Sequence, residues 1–248
     1  MQNAQLIGLS AQVALGRELE VIANNVANAS TTGFKARSTR FQEYLMPKAS
    51  AETFQRPDRR LSYVIDAGTA LDMSQGSIES TGNPLNVAIR GDAFFAVQTP
   101  QGERYTRNGA FELDAGGRLV TSDGYPVLGQ GGPIQINDRE TGATIGADGT
   151  LSTNLGNRDK VRLVTFADPQ GLTHAGANLY ASTGPAVPAG PQARVEPGAL
   201  ERSNVRPVLA MSRLMEVNRT YAMIAEAVSR LDTLHGTALQ RLADVGTA

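Results

Sequence analysis

The sequence predicts an α+β fold: a hairpin-rich, all-β central domain flanked by long N- and C-terminal helices that pair as a coiled coil. Three observations carry this. Near the C-terminus, Leu214, Val217, Tyr221, Ile224, Val228, Leu231, His235, Ala238 and Leu242 recur at spacings of three and four without a slip. That 3.5-residue repeat winds one helix onto another, and its narrow apolar seam needs a covering partner. Residues 2–28 lack proline and carry an amphipathic helical rhythm. Between the two, from Gly76 to Ala186, short alternating or β-branched runs are broken by Gly, Asn, Asp and Pro at intervals of roughly ten residues.

The first segment, residues 1–35, is an N-terminal helix and its exit. Leu6, Leu9 and Val13 make one short stripe; Leu15, Leu19, Ile22 and Val26 continue on a neighbouring face. The helix stops in Asn28-Ala29-Ser30-Thr31-Thr32-Gly33, where amide and hydroxyl side chains compete for backbone hydrogen bonds and glycine can turn left-handed. Residues 36–75 read as a connector. Lys35, Arg37 and Arg40 precede the piece Phe41 to Met46, which Pro47 ends; Arg56-Pro57-Asp58-Arg59-Arg60 and an alternating strand, Leu61 to Ile65, follow. With no aromatic interleaving and no glycine-rich cradle, these basic residues read as a solvated surface rather than an anion site.

Residues 76–190 form the β domain. Strands are expected at Val87–Ile89, Phe94–Val97, Arg104–Thr106, Ala110–Leu113, Arg118–Thr121, Ile134–Ile136 and Val161–Phe166. The separators Pro100-Gln101-Gly102, Asn108-Gly109, Asp114 to Gly117 and Asp123-Gly124 have turn chemistry. Pro185, Pro188, Pro191 and Pro197 make 184–198 an extended linker. Residues 191–248 thus hold the linker and the heptad helix, with Ser203 or Asn204 as N-cap and Pro207 tolerated in the first turn.

Composition narrows the function. The formal net charge is −1, so no electrostatic footprint for nucleic acid or an anionic membrane surface is present. There is no cysteine, which removes disulfides, thiol chemistry and cysteine metal sites. No apolar run reaches bilayer length, so no membrane insertion is expected. Met1-Gln2-Asn3-Ala4-Gln5 does not begin a cleavable secretory signal. The two histidines, His174 and His235, are far apart, and His235 sits in the seam. No serine occupies a G-x-S-x-G elbow. Gly129-Gln130-Gly131-Gly132 precedes Pro133 and a strand, not the helix N-terminus that holds phosphate. Asp114, Asp123, Asp138 and Asp148 stand in turns and read as Asx-turn residues. No catalytic residue, cofactor or metal site emerges, and an enzyme is not expected.

Three motifs resemble a known family. Ala23-Asn24-Asn25-Val26-Ala27-Asn28-Ala29-Ser30-Thr31-Thr32-Gly33-Phe34-Lys35 is similar to the N-terminal motif of the flagellar rod and hook proteins. The runs Asn86 to Phe95 and Tyr105-Thr106-Arg107-Asn108-Gly109-Ala110-Phe111 resemble that family's β domain, and Leu200-Glu201-Arg202-Ser203-Asn204-Val205 its C-terminal counterpart. Ser203 to Val208 with Ala210-Met211 is most similar to the proximal-rod branch; a distal-rod or hook-family axial protein is the close alternative. A fibre or adhesin subunit with coiled-coil ends shares the architecture but has no reason to carry the Asn-rich motif.

The resemblance implies a structural subunit of the bacterial flagellar basal-body rod. It would polymerise through its terminal helices into the axial drive shaft, transmitting torque and enclosing the export channel. Implied partners are copies of itself, other rod proteins and the flagellar type III export apparatus. The implied location is the periplasm-spanning rod, reached without a cleavable signal peptide. The expected assembly interface comprises Leu6, Leu9, Val13, Leu19, Ile22 and Val26 with Asn25 and Asn28, and Leu214, Val217, Tyr221, Ile224, Val228, Leu231 and Leu242. The Asn residues admit two readings: a helix stop, or polar contacts that fix register between subunits.

Overall fold

A computed structural model describes residues 2–45, 62–137 and 139–245. Met46, Pro47, residues 56–60, Leu61 and Asp138 lie outside the described residues. The chain divides into two units: Met1–Val26, Arg37–Ala70 and Pro207–Ala248 form one, and Ala27–Ala36 with Leu71–Arg206 form the other. A β-rich centre between two terminal helices bears out the α+β class.

The first unit holds α1 (Gln2–Ala27), the strands β1 (Arg37–Leu45) and β2 (Ser62–Leu71), and α2 (Pro207–Val245). β1 and β2 pair as a two-stranded sheet within the region read as a connector. α1 ends where the sequence expects: Thr31 N–H donates to the Asn28 carbonyl at 3.1 Å, and Gly33 takes φ +67°.

The second unit is β-rich. Its strands begin with β3 (Ile78–Ser80), β4 (Val87–Arg90), β5 (Phe94–Thr99), β6 (Gly102–Thr106), β7 (Phe111–Leu113), β8 (Leu119–Thr121) and β9 (Thr144–Ile145). They continue with β10 (Thr150–Thr153), β11 (Gly156–Lys160), β12 (Leu163–Thr165), β13 (Leu172–His174), β14 (Leu179–Ser182), β15 (Val187–Pro188), β16 (Arg194–Pro197) and β17 (Ala199–Glu201). The main sheet has the order β13-β14-β6-β5-β12-β15. Its central hairpin closes where Thr99 pairs with Gly102, as the Pro100-Gln101-Gly102 turn predicts.

β5 explains the core. Successive side chains of a strand point to opposite faces. Phe95 and Val97 enter one buried cluster with Val87, Ile89, Phe111, Leu119 and Leu151. Phe94 and Ala96 enter another with Tyr105, Val164 and Tyr180. A strand covered on both faces reads as a continuous apolar run rather than an alternation.

Three local expectations change. Ile134-Gln135-Ile136 is not a strand; Gln135 makes an isolated bridge to Arg118, while Ile134 and Ile136 are buried in the core. The proline-rich stretch 184–198 is extended, and parts of it pair: β15 with β12 and β16 with β4. Pro188 and Pro197 sit at the ends of these strands, where the missing N–H is tolerated, and Pro185 and Pro191 lie between strands. Neither Ser203 nor Asn204 caps α2. The Asn204 amide is spent inside the second unit, accepting from Ala36 N and donating to the carbonyls of Asp72 and Ser74. Ser203 Oγ accepts from Val205 N.

The turn aspartates behave as their positions suggest. Asp114 Oδ1 accepts from the backbone of Gly116 and Arg118, and Asp148 Oδ1 from Thr150. In the glycine-rich loop, the amides of Gln130 and Gly131 donate to the Asp159 carboxylate. Two of its amides are thus spent on an internal anion, and Gly129 N donates to the Gly132 carbonyl.

Candidate functional site

In the first unit, α1 and α2 lie side by side in opposite directions. A Cβ on Gly8 would meet Val228 Cγ2, and one on Gly16 the Tyr221 ring. Gln12 Nε2 donates to Tyr221 Oη at 3.2 Å, and Glu18 pairs with Arg213 at 2.8 Å. Residue numbers rise along α1 as those of its partners fall along α2.

On α2, Leu214, Val217, Tyr221, Ile224, Val228 and Leu231 are buried or half-buried, and most residues between them are exposed. The three-four repeat is therefore the covered face of α2. Leu242 lies in α2 by its backbone. On α1 the two stripes separate. Ile22 is buried and Leu19 and Val26 are half-buried, whereas Leu6, Leu9 and Val13 are 50%, 53% and 65% exposed. A groove of about 450 Å³ runs along this side, lined by Leu9, Gln12, Val13, Gly16, Arg17, Glu20 and Tyr221. α2 has an exposed apolar stripe of its own in Val208, Met211, Met215 and Met223.

Asn25 is buried and bound within the chain. Its Nδ2 donates to the Arg37 carbonyl at 2.7 Å and its Oδ1 accepts from Arg37 N at 3.0 Å. The amide thus satisfies both backbone groups at the start of β1, much as a neighbouring strand would. Asn28 is half-buried and its Oδ1 accepts from Thr31 Oγ1.

In the second unit, the structure corrects the reading of Lys35 as a solvated basic residue. Its side chain is 0% exposed, and Nζ donates to Glu201 Oε1 at 2.7 Å and to the Ser74 carbonyl at 2.8 Å. Glu201 Oε1 also accepts from Gly76 N, while Oε2 lies 3.6 Å from Nε of the buried Arg107. The Arg107 guanidinium stands 5.6 Å from the centre of the Phe94 ring. Burial holds the Lys35 pKa below its ordinary 10.5, with Arg107 pushing the same way and Glu201 opposing. Burial also lowers that of Arg107, again against Glu201.

Backbone contacts knit the same segments. Gly33 N donates to the Glu201 carbonyl at 2.7 Å, and Asn204 N to the Phe34 carbonyl. A Cβ on Gly33 would collide with the Arg107–Asn108 backbone. These residues lie in three separate sequence motifs, and no spacing or periodicity in the sequence joins them. The available signal was one charged residue beside apolar neighbours in each: Lys35 after Phe34, Arg107 near Tyr105, Glu201 after Leu200.

His174, in β13, accepts from Gly176 N through Nδ1 and sets its ring against Tyr180 at 5.8 Å. Among the described residues, no cluster of three or more His, Cys, Asp or Glu could hold a metal ion. No helix among them is long and apolar enough to cross a membrane.

Comparison with known proteins places relatives beside this geometry. The family described as "Flagella basal body rod protein" matches residues 6–35, "Flagellar hook protein FlgE/F/G D1 domain" matches 88–153, and "Flagellar basal body rod FlgEFG protein C-terminal" matches 196–241. The chain is 37% identical to the flagellar basal-body rod protein FlgF of Caulobacter vibrioides, covering 99% of this chain and 100% of that protein. It is 35% identical to FlgF of Escherichia coli, covering 98% and 99%. With FlgG of Bacillus subtilis the identity is 31%, covering 92% and 94%.

Proposed function

This chain belongs to the flagellar basal-body rod protein family and is a structural subunit of the rod, and we propose that it serves as a proximal-rod subunit whose terminal helices polymerise into the axial drive shaft. In this reading α1 and α2 form a coiled-coil layer around the export channel, and the role is mechanical rather than enzymatic. Its partners are copies of itself, the neighbouring rod proteins and the flagellar type III export apparatus, which delivers it to the periplasm-spanning rod.

The observation that carries the assembly reading is what remains uncovered after α1 and α2 pack. Leu6, Leu9 and Val13 on one helix, and Val208, Met211, Met215 and Met223 on the other, stay exposed. Exposed apolar stripes of this kind mark an interaction site. The two stripes differ, so a contact joining one to the other is heterologous, and heterologous contacts build rings or, where the rotation does not close, open helical polymers rather than isologous dimers. Leu19, Ile22 and Val26 with Leu214, Val217, Tyr221, Ile224, Val228, Leu231 and Leu242 supply the coiled-coil seam, while Asn25 and Asn28 shape the end of α1 beside it.

The test is Ile224→Asp. A charge in the seam blocks incorporation into rods while the β-rich unit keeps its protease resistance. Rod assembly at the parental level would remove the seam from the mechanism.

A further inference from the structure

We propose that Lys35, Arg107 and Glu201 form a closure lock that lets the segment leaving α1 seat on the β-rich core only when the segment entering α2 is also in place. The lock lies wholly within the second unit and does not depend on how subunits pack.

Its basis is a charge imbalance in a dry place. Two cations and one carboxylate are buried together, at no more than 1% side-chain exposure each. They come from distant parts of the chain: the exit of α1, the turn after β6, and β17. Glu201 is their shared counter-ion, and its Oε1 is already divided between Lys35 Nζ and Gly76 N. Among the described residues, Nε and Nη1 of Arg107 have no hydrogen-bond acceptor, so the ion pair with Glu201 is the close compensation the guanidinium has. Asp72 acts on Lys35 and Asp92 on Arg107 only through the field, without a hydrogen bond to either, so removing Glu201 leaves two buried like charges without their close counter-ion, a far worse state than an exposed pair losing one partner.

Order of docking follows. Without residues 199–206, seating 27–36 would bury Lys35 beside Arg107 with no carboxylate between them, and Gly33 N would lose the Glu201 carbonyl it donates to. With residues 199–206 in place, Glu201 compensates both cations, and Asn204 accepts from Ala36 N. The two segments that bound the terminal helices therefore close as one event. A chain lacking its C-terminal segment keeps its N-terminal segment unseated. Buried ionic groups are best attested in this role, specifying one arrangement over others.

The experiment is amide hydrogen exchange on the full-length monomer. In Glu201→Gln, the Gly33 and Ala36 amides should exchange faster by on the order of 100-fold, while the β5–β6 hairpin amides keep their protection. Adding Lys35→Met and Arg107→Met to Glu201→Gln removes the uncompensated charges and should restore protection at Gly33 and Ala36. If Glu201→Gln does not fold, recovery of folding in the triple variant supports the lock just as well. Unchanged exchange at Gly33 in Glu201→Gln, or no recovery in the triple variant, overturns it.

Discussion

A Cβ built on Gly8 of α1 would stand 2.6 Å from Cγ2 of Val228 on α2, closer than carbon atoms approach in a packed interface. Glycine inside a helix is normally a liability of about 1 kcal/mol against alanine. Here the missing side chain lets the seam residue Val228 lie against the α1 backbone. Gly8→Ala should therefore forfeit its usual helix gain, and Gly8→Leu should force the helices apart. Rod incorporation, read by the motility of a complemented null strain, should fall in that order. Val228→Ala, which vacates the contact, should rescue Gly8→Ala; no rescue would mean the contact does not govern pairing.

Periodicity made much of this unit legible. The covered positions of α2 are those of the three-four repeat from Leu214 to Leu231, because one helix face against one partner leaves a direct trace in sequence. The β5 run Phe94-Phe95-Ala96-Val97 was equally legible as a strand. What sequence could not show was convergence. Lys35, Arg107 and Glu201 leave no periodic trace, and a lysine beside Arg37 and Arg40 looks solvated until the fold buries it. Pairing within 184–198 was hidden for a similar reason: proline signals an extended backbone but not whether a neighbour such as Val87 lies alongside it.

Gly33→Ala should destabilise the β-rich unit severely. At φ +67° a side chain costs about 1–2 kcal/mol in backbone conformation alone. The Cβ would also press on the Arg107–Asn108 backbone, which cannot rotate away as a side-chain tip could. The expected loss in urea unfolding is at least about 2 kcal/mol. A loss near zero would show that the exit of α1 is not held against the core.

Acid should weaken the β-rich unit through its turn carboxylates. The backbone amide of Arg118 leads in holding Asp114 below its ordinary 3.8, and the Thr150 hydroxyl and amide do the same for Asp148. Burial would raise the Glu140 pKa from 4.5, but hydrogen bonds from Thr153 and Arg158 outweigh it and the net shift is downward. Each folded-state value lies below its unfolded one, so their stabilisation is fully present above about pH 4.5 and is lost as pH falls through the folded values. Unfolding free energy from urea titrations should be level near pH 6 and decline below 4.5. Glu140→Gln should make that decline shallower; an unchanged slope would exclude the Glu140 contribution.

Val13→Asp separates assembly from folding most cleanly. A charge at Ile22 would disturb a buried position of the subunit itself, and a failure there would have two explanations. Val13 is 65% exposed and lines the groove beside Leu9 and Tyr221, so aspartate in its place stays hydrated in the monomer. Stability of the isolated subunit should change by no more than about 0.5 kcal/mol. In the rod, the same carboxylate would be buried against an apolar neighbour without a counter-charge, which is strongly unfavourable. The expected result is a folded, soluble subunit that does not enter rods. Incorporation at the parental level would show that the Leu6–Leu9–Val13 stripe faces solvent in the assembly, leaving the α2 stripe of Met211, Met215 and Met223 to make the contact.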